Sequence, residues 1–382
     1  MTERLYEKEP ETLTFAARVL SCREAEGGYA VVLDRTAFFP EGGGQGADHG
    51  TLGGANVLDA HIHEDIVTHL TDAPLTEGRT VTGQVDANRR LSMSQQHTGE
   101  HIFSGLVHKL FGYDNVGFHI GSDAVTMDFN GPMTEEEVRR VETLANEAVW
   151  ANLPVEVFVP SKEELAGLTY RSKKALEGDV RIVRIPGVDT CACCGTHLAR
   201  TGSVGQIKVI AMQKYKGGVR LSILCGMRAL AYERQALEEL KKISVLLSSK
   251  QEETAEQTAK LLEERDRLRF TAEGLAMRLF EQEAERQAEQ RVRVAETELP
   301  AAKLRHAAGR LAQGAEAGMV LQKRDGGWNF ALCSETRDIR EATRAVIGRF
   351  GGKGGGPKDM TQGVLQGGTR EEIAAALTEA LR

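Results

Sequence analysis

The chain has 382 residues, a formal net charge of −7 and a hydrophobic share of 41%. Such a length exceeds one ordinary domain, and that apolar share supports real cores. The acidic balance argues against indiscriminate nucleic-acid binding but leaves room for a local basic patch.

Residues 1–88 read as short alternating strands with glycine turns, two of them flanking Glu26-Gly27-Gly28. This pattern suits a small β-barrel. Residues 89–227 are mixed. A helical period around residues 91–112 precedes a strand near residues 124–131. Thr134 and Glu137 form a capping-box signature for a helix running to Trp150. Further strands are expected on either side of the cysteine segment. Residues 228–292 are proline-free, and Leu240, Leu247, Leu261, Leu268 and Leu275 fall on one heptad line with Thr254 in the gap. The companion seam is weak, so a long helix or helical hairpin turning near Ser248-Ser249 is expected, with a homodimer through this or the C-terminal segment. Residues 293–382 read as a small α/β unit with a hairpin at Asp325-Gly326-Gly327, a helix, a glycine run and a last strand and helix. The fold expected is α+β and multidomain. No run of 18 apolar residues occurs and the charged N-terminus lacks a signal-peptide core, so a cytoplasmic chain with no membrane span is expected.

In that compartment clustered cysteines point to metal or catalysis rather than disulfides. Three of the six crowd together as Cys191, Cys193 and Cys194, whereas Cys22, Cys225 and Cys333 read as packing residues. His97 and His101 are four apart, which puts both imidazoles on one helix face. The same spacing recurs in Cys193-Cys194-Gly195-Thr196-His197, where Gly195 permits a tight turn. Thiolate with imidazole favours zinc. Spacing leaves Cys191 and Cys194 as rivals to Cys193. His97-Thr98-Gly99-Glu100-His101 also matches the H-x-x-E-H zinc-peptidase pattern with Glu100 as base. Gly99, a poor helix former, and the absence of a carboxylate as third ligand weigh against that reading.

Five motifs occur in order: residues 39–45 with Gly42, Gly43, Gly44 and Gln45; residues 96–101; residues 117–121 with His119; residues 193–197; and the glycine run 351–356. In this order they resemble the long form of the alanyl-tRNA editing proteins, AlaX, relatives of the editing and C-terminal parts of alanyl-tRNA synthetase. The resemblance implies a zinc-containing editing domain at residues 89–227 with ligands His97, His101, Cys193 and His197. It implies hydrolysis of the ester on alanine tRNA mischarged with serine, glycine being the alternative. It also implies a DHH-associated-like tRNA-binding unit at residues 293–382. No ATP is expected, and no GxxxxGK[ST] loop occurs. Glu100 stands where the synthetase usually carries threonine, which puts the serine–glycine preference in question.

Candidate catalytic residues are Glu100, to orient water or the substrate ammonium; His119, to contact substrate or deliver a proton; and Thr196, to bond the seryl hydroxyl. Thr98 is a weaker candidate, and Asp128 reads as structural. Arg337, Arg340, Arg344, Arg349, Lys353 and Lys358 are the candidate tRNA contacts, the first three on one helix face. The competing expectations are a non-catalytic RNA-binding protein with structural zinc and the zinc peptidase.

Overall fold

The computed structural model describes residues 1–172 and 180–382. It separates into two compact units, residues 1–239 and 240–382.

After a short strand (Glu3–Arg4), which pairs with Arg35–Thr36, and one helical turn (Leu5–Lys8), the first unit builds a ring from six strands: β1 (Thr14–Ala25), β2 (Gly28–Leu33), β3 (Gly50–Leu52), β4 (Ala55–His63), β5 (Ile66–Thr71) and β6 (Thr80–Val85). They pair in the order β1-β2-β5-β4-β3-β6, and β6 pairs back onto β1, closing a ring. Alternation turns Phe15, Ala17 and Val19 of β1 inward against Val31, Leu33, Leu52 and Val85, with Phe38 among them. Where the sequence pattern pointed to a small barrel, these strands form this closed ring.

Helix α1 (Ala87–Phe111) follows directly. Asp86 caps it by accepting from Asn88 N and Arg89 N, and Gly112 ends it in the left-handed conformation at φ 72°. Its residues from Met93 to Val107 are buried on every side. Gly99 does not interrupt the helix. A Cβ there would lie 2.3 Å from Cys225 Sγ, so close packing outweighs the roughly 1 kcal/mol propensity penalty of glycine. The propensity objection to a histidine-bearing helix at this point therefore does not hold.

Around α1 lie β7 (Asn115–Ile120), β8 (Val125–Phe129), helix α2 (Glu135–Trp150), β9 (Glu156–Phe158), β10 (Ile182–Ile185), β11 (Asp189–Ala192), β12 (Ile207–Tyr215) and β13 (Gly218–Cys225). One sheet runs β12-β13-β8-β7 and another β9-β10-β11. The Thr134–Glu137 capping box forms as the sequence predicts. Ile102, Phe103, Met127, Phe129, Val141 and Ile207 share the core between α1, α2 and the larger sheet.

Helix α3 (Met227–Leu246) ends before Ser248, at φ 50°, and α4 (Thr254–Arg286) follows, so the helical segment is broken where the two serines suggest. On α4, Leu261, Leu268 and Leu275 are each more than half exposed. The second unit continues with β14 (Val292–Glu296), α5 (Leu304–Ala312), β15 (Ala317–Arg324), β16 (Gly327–Cys333), α6 (Arg340–Phe350), β17 (Gly352–Gly355), β18 (Met360–Leu365) and α7 (Arg370–Ala380). Its sheet runs β14-β15-β16-β18-β17, with β14 parallel to β15 and the rest antiparallel. Val294, Met319, Leu321, Phe330 and Leu332 pack on α6 and α7. The alternate residues Ala295, Val320 and Ala331 pack with α5 on the other face.

Two expectations are corrected here. The glycine run is an edge strand, because a Cβ at Gly354 would lie 2.6 Å from Gln362 O and the bare backbone can pair with β18. Arg337 is not on the arginine helix, which begins at Arg340. Ser334 Oγ accepts from Thr336 N and Arg337 N, forming a turn ahead of it.

Candidate metal centre

Helix α1 brings His97 and His101 to one face, and the segment after β11 brings Cys193 and His197 against them. The four ligand atoms lie within 4.8 Å of one another. His97 Nε2 and His197 Nε2 are each 3.4 Å from Cys193 Sγ. The three imidazoles are buried, and Cys193 is half-buried. Of the rival cysteines, Cys191 falls in a separate group with His101 and Asp189, and Cys194 is exposed and in neither group. Gly195 serves a different purpose from the turn expected of it: a Cβ would lie 2.2 Å from His97 Cε1. Glycine is needed for the ring to fit.

The hydrogen bonds decide which nitrogen faces inward. Gln45 Oε1 accepts from the backbone N–H of Thr196 at 3.2 Å, so it must be the oxygen of that amide. The same oxygen lies 2.8 Å from His97 Nδ1, which must then carry the proton, leaving Nε2 as donor to the cluster. His101 Nδ1 lies 2.9 Å from Asp189 Oδ2, with the same consequence. His197 Nδ1 is buried with no hydrogen-bond partner among the described residues. Burial alone would raise the Cys193 thiol, but the adjacent His97 and His197 imidazoles hold it well below the usual thiol range. Burial pushes His197 down to about 3, keeping it neutral. Asp189 stays below the usual carboxyl range despite burial, because His101 and Arg171 both donate to it. Despite burial, hydrogen bonds to Asp189 and Cys193 hold His101 well above the usual imidazole range, so a cation would displace a proton there; with that exchange, these three inward-facing imidazoles and the thiolate could hold a metal ion.

The glycine motif carries the Gln45 anchor. Gly42 and Gln45 bridge across a turn, and Gly44, at φ 85°, accepts a hydrogen bond from Ile120 N at 2.8 Å. A Cβ on Gly44 would meet Phe118 O at 2.7 Å. The turn thus presses β7 and delivers Gln45 to His97 from the ring.

Glu100 is buried beside the cluster. Its Oε1 accepts from Ser104 Oγ at 2.7 Å and Asn115 Nδ2 at 2.6 Å, and its Oε2 is 3.9 Å from His101 Nε2. Thr196 Oγ1 is fully buried and accepts from Gln45 Nε2 and Ser94 Oγ, which ties it to the scaffold. Thr98 Oγ1 accepts from Leu198 N. His119 does not reach the cluster. Its neighbour Phe118 packs on the His97 ring at 5.0 Å, and alternation turns the exposed His119 to the other side of β7. Asp128 is held by Arg220 through both oxygens. Gln45 as an anchor, together with Asp189, Asn115 and Arg171, is not evident from local spacing, because each comes from another segment; Ser104, four residues from Glu100 on the same helix, could have been found from helical spacing.

Two family models match parts of the chain: "Threonyl and Alanyl tRNA synthetase second additional domain" over residues 180–222 and "tRNA synthetases class II (A)" over residues 10–89. The alanyl-tRNA editing protein AlaX-L of Pyrococcus horikoshii is 28% identical over the whole chain and 99% of its own length. The chain is a relative of the long alanyl-tRNA editing proteins. Aarsd1 of Danio rerio, also named an alanyl-tRNA editing protein, is 33% identical over 61% of this chain and 58% of its own. The alanine–tRNA ligase of Thermofilum pendens is 32% identical over all of this chain, which spans 44% of that ligase. The editing-protein relationship therefore covers the whole chain, whereas a ligase matches with less than half its length. Among the described residues no helix is long and apolar enough to cross a membrane.

Proposed function

We propose that the chain is a trans-editing hydrolase that deacylates tRNA(Ala) mischarged with serine, and with glycine as a second substrate. The observation that carries this reading is the convergence of His97, His101, Cys193 and His197 beside the buried Glu100, in a chain that aligns end to end with an alanyl-tRNA editing protein. The donor set of three imidazoles and one thiolate fits zinc. Bound there, zinc would supply Lewis-acid polarisation of the ester carbonyl.

The chain's own residues do the placing. Gln45 and Asp189 aim two of the imidazoles. Ser104 and Asn115 hold one oxygen of Glu100 and leave the carboxylate turned toward the cluster, to orient water or take the substrate ammonium. The two roles separate kinetically: Glu100→Gln raises KM if the ammonium is held there and lowers kcat if water is. Glu100 ranks above Thr196 and His119 because Thr196 is tied into the scaffold and His119 faces away.

The experiment incubates the protein with seryl-, glycyl- and alanyl-tRNA(Ala) and follows free amino acid. Release of serine with alanine spared is expected. Four protein ligands also suit a structural zinc, which favours the second reading, a non-catalytic RNA-binding protein. Binding with no release of any amino acid would establish that reading, and peptide cleavage abolished by Glu100→Gln would establish a peptidase.

For tRNA, the six candidate cations are not equivalent. Arg337 is engaged by Leu381 O and Glu316, Arg340 by Asp338, and Arg349 by Glu379. Arg344 and Lys353 have no acid partner among the described residues, whereas Lys358 lies in the field of Asp338; we propose all three as the phosphate contacts, with Lys353 on the glycine edge strand. Replacing each with alanine is expected to lower the slope of log affinity against log salt by roughly 0.7–0.9 per lost phosphate contact. An unchanged slope would remove these residues from the interface.

A further inference from the structure

We propose that Asp189, clamped by Arg171, is a positioning residue that holds His101 with its proton on Nδ1 and so presents Nε2 to the cluster. The inference rests on the metal-dependent editing reading above.

Asp189 Oδ2 lies 2.9 Å from His101 Nδ1. An ionised carboxylate only accepts, so the ring proton sits on Nδ1. Arg171 Nε and Nη2 donate to Asp189 Oδ1 and Oδ2, each at 2.8 Å, so the carboxylate cannot rotate away from the imidazole. Arg171 is itself laced to the strand that bears Asp189: its N–H donates to Thr190 O at 2.8 Å, and its carbonyl accepts from Ala192 N at 2.9 Å. Both side chains are largely buried, at 11% and 2% side-chain exposure, so solvent does little to loosen the pair. Helix α1 is shaped to receive it. Four residues beyond His101 the helix has Gly105, where a Cβ would lie 2.5 Å from Asp189 Cβ. A larger residue there would push Asp189 off His101.

The clamp also decides how many ions the site takes. His101, Asp189 and Cys191 form a second buried donor set within 4.8 Å, on the Nδ1 side of the same imidazole. With Arg171 already on the carboxylate and a proton on Nδ1, that side is closed to a cation. One ion per chain, on the Nε2 side, follows.

The test uses the full chain and Zn2+ itself, with affinity read by competition against a chelator. Asp189→Ala is expected to weaken Zn2+ binding by roughly 10–100-fold, the usual cost of removing a group hydrogen-bonded to a metal-binding histidine. Asp189→Asn keeps an accepting oxygen and is expected to recover part of the loss. Nitrogen-15 imidazole spectra should show His101 protonated at Nδ1 in the parent and a tautomer mixture in Asp189→Ala, a signature that loss of packing alone would not give. Should Asp189→Ala fail to fold, Arg171→Gln serves instead, with a smaller loss of affinity. Equal affinities for parent and variant, or a parent His101 with no proton on Nδ1, would overturn the proposal. Release of serine from seryl-tRNA(Ala) is followed separately. A parent that binds Zn2+ through the clamp but releases nothing would sink the editing reading and leave the clamp standing; the reverse result would sink the clamp alone.

Discussion

Replacing His97 with alanine is expected to strip the metal from the protein and abolish amino-acid release together. His97 contributes more than a donor atom. Its Nδ1 is the partner of Gln45 Oε1, and its ring fills the space left by the missing side chain at Gly195. Alanine leaves three donors, a Gln45 carbonyl that keeps the Thr196 N–H and loses its imidazole partner, and a void beside Cys193. Losing a group that merely hydrogen-bonds to a ligand costs about 10–100-fold in metal affinity, and loss of the ligand itself is expected to exceed that range. Metal analysis after dialysis checks it: His97→Ala and Cys193→Ser should both emerge depleted, whereas Cys194→Ser, at an exposed cysteine outside the group, should keep the parent's metal content. Undiminished zinc in His97→Ala would remove that residue from the ligand set. Depletion in Cys194→Ser would show that the thiol had been assigned one residue too early.

The contrast between those neighbouring cysteines shows what the sequence could and could not reveal. His97 and His101 were legible because helical spacing encodes a shared face, and Thr134 with Glu137 because a cap is local chemistry. The turn after Arg324 was legible for the same reason. Spacing alone left Cys191, Cys193 and Cys194 in competition, since the choice depends on which way each side chain points after β11. The partners of the imidazoles were hidden: Gln45 lies 52 residues from His97, and Asp189 lies 88 from His101. No periodicity links them, because only folding brings a ring turn and a strand to the same helix. Gly99 was misjudged by propensity, since a local scale does not contain Cys225. His119 was placed near the chemistry by its motif, but which of two alternating residues faces inward is set by the sheet's packing, and here it is Phe118. The glycine run was assigned no strand in the sequence, since glycine carries no strand signal, yet here the edge pairing depends on the absence of side chains.

Arg90→Met is expected to destabilise the first unit by about 3–5 kcal/mol, the cost of breaking a buried ion pair by removing one partner. Arg90 and Asp48 are 4% and 1% exposed. The guanidinium bonds both carboxylate oxygens, and it also donates to Pro10 O at 2.8 Å and Ala37 O at 2.6 Å. Methionine fills most of the volume but leaves the Asp48 carboxylate with the Phe39 N–H, at 2.7 Å, as its remaining hydrogen bond among the described residues, and strands two carbonyls. Denaturant unfolding of the parent and variant measures the difference. The consequence reaches the metal. Arg90 is on the same helix as His97, two turns earlier, and Asp48 lies three residues beyond Gln45 on the turn that anchors the His97 ring. The ion pair thus sets the distance between the ring's turn and the helix, so Arg90→Met is expected to weaken Zn2+ binding as well as folding. Asp48→Leu on the Arg90→Met background removes the stranded charge and should restore part of the stability, with the Pro10 and Ala37 carbonyls and the Phe39 N–H still unpaired. It should not restore the alignment of Gln45 with His97. If stability and Zn2+ affinity recover together in the double variant, the ion pair contributes only to folding; if stability alone recovers, it also registers the site.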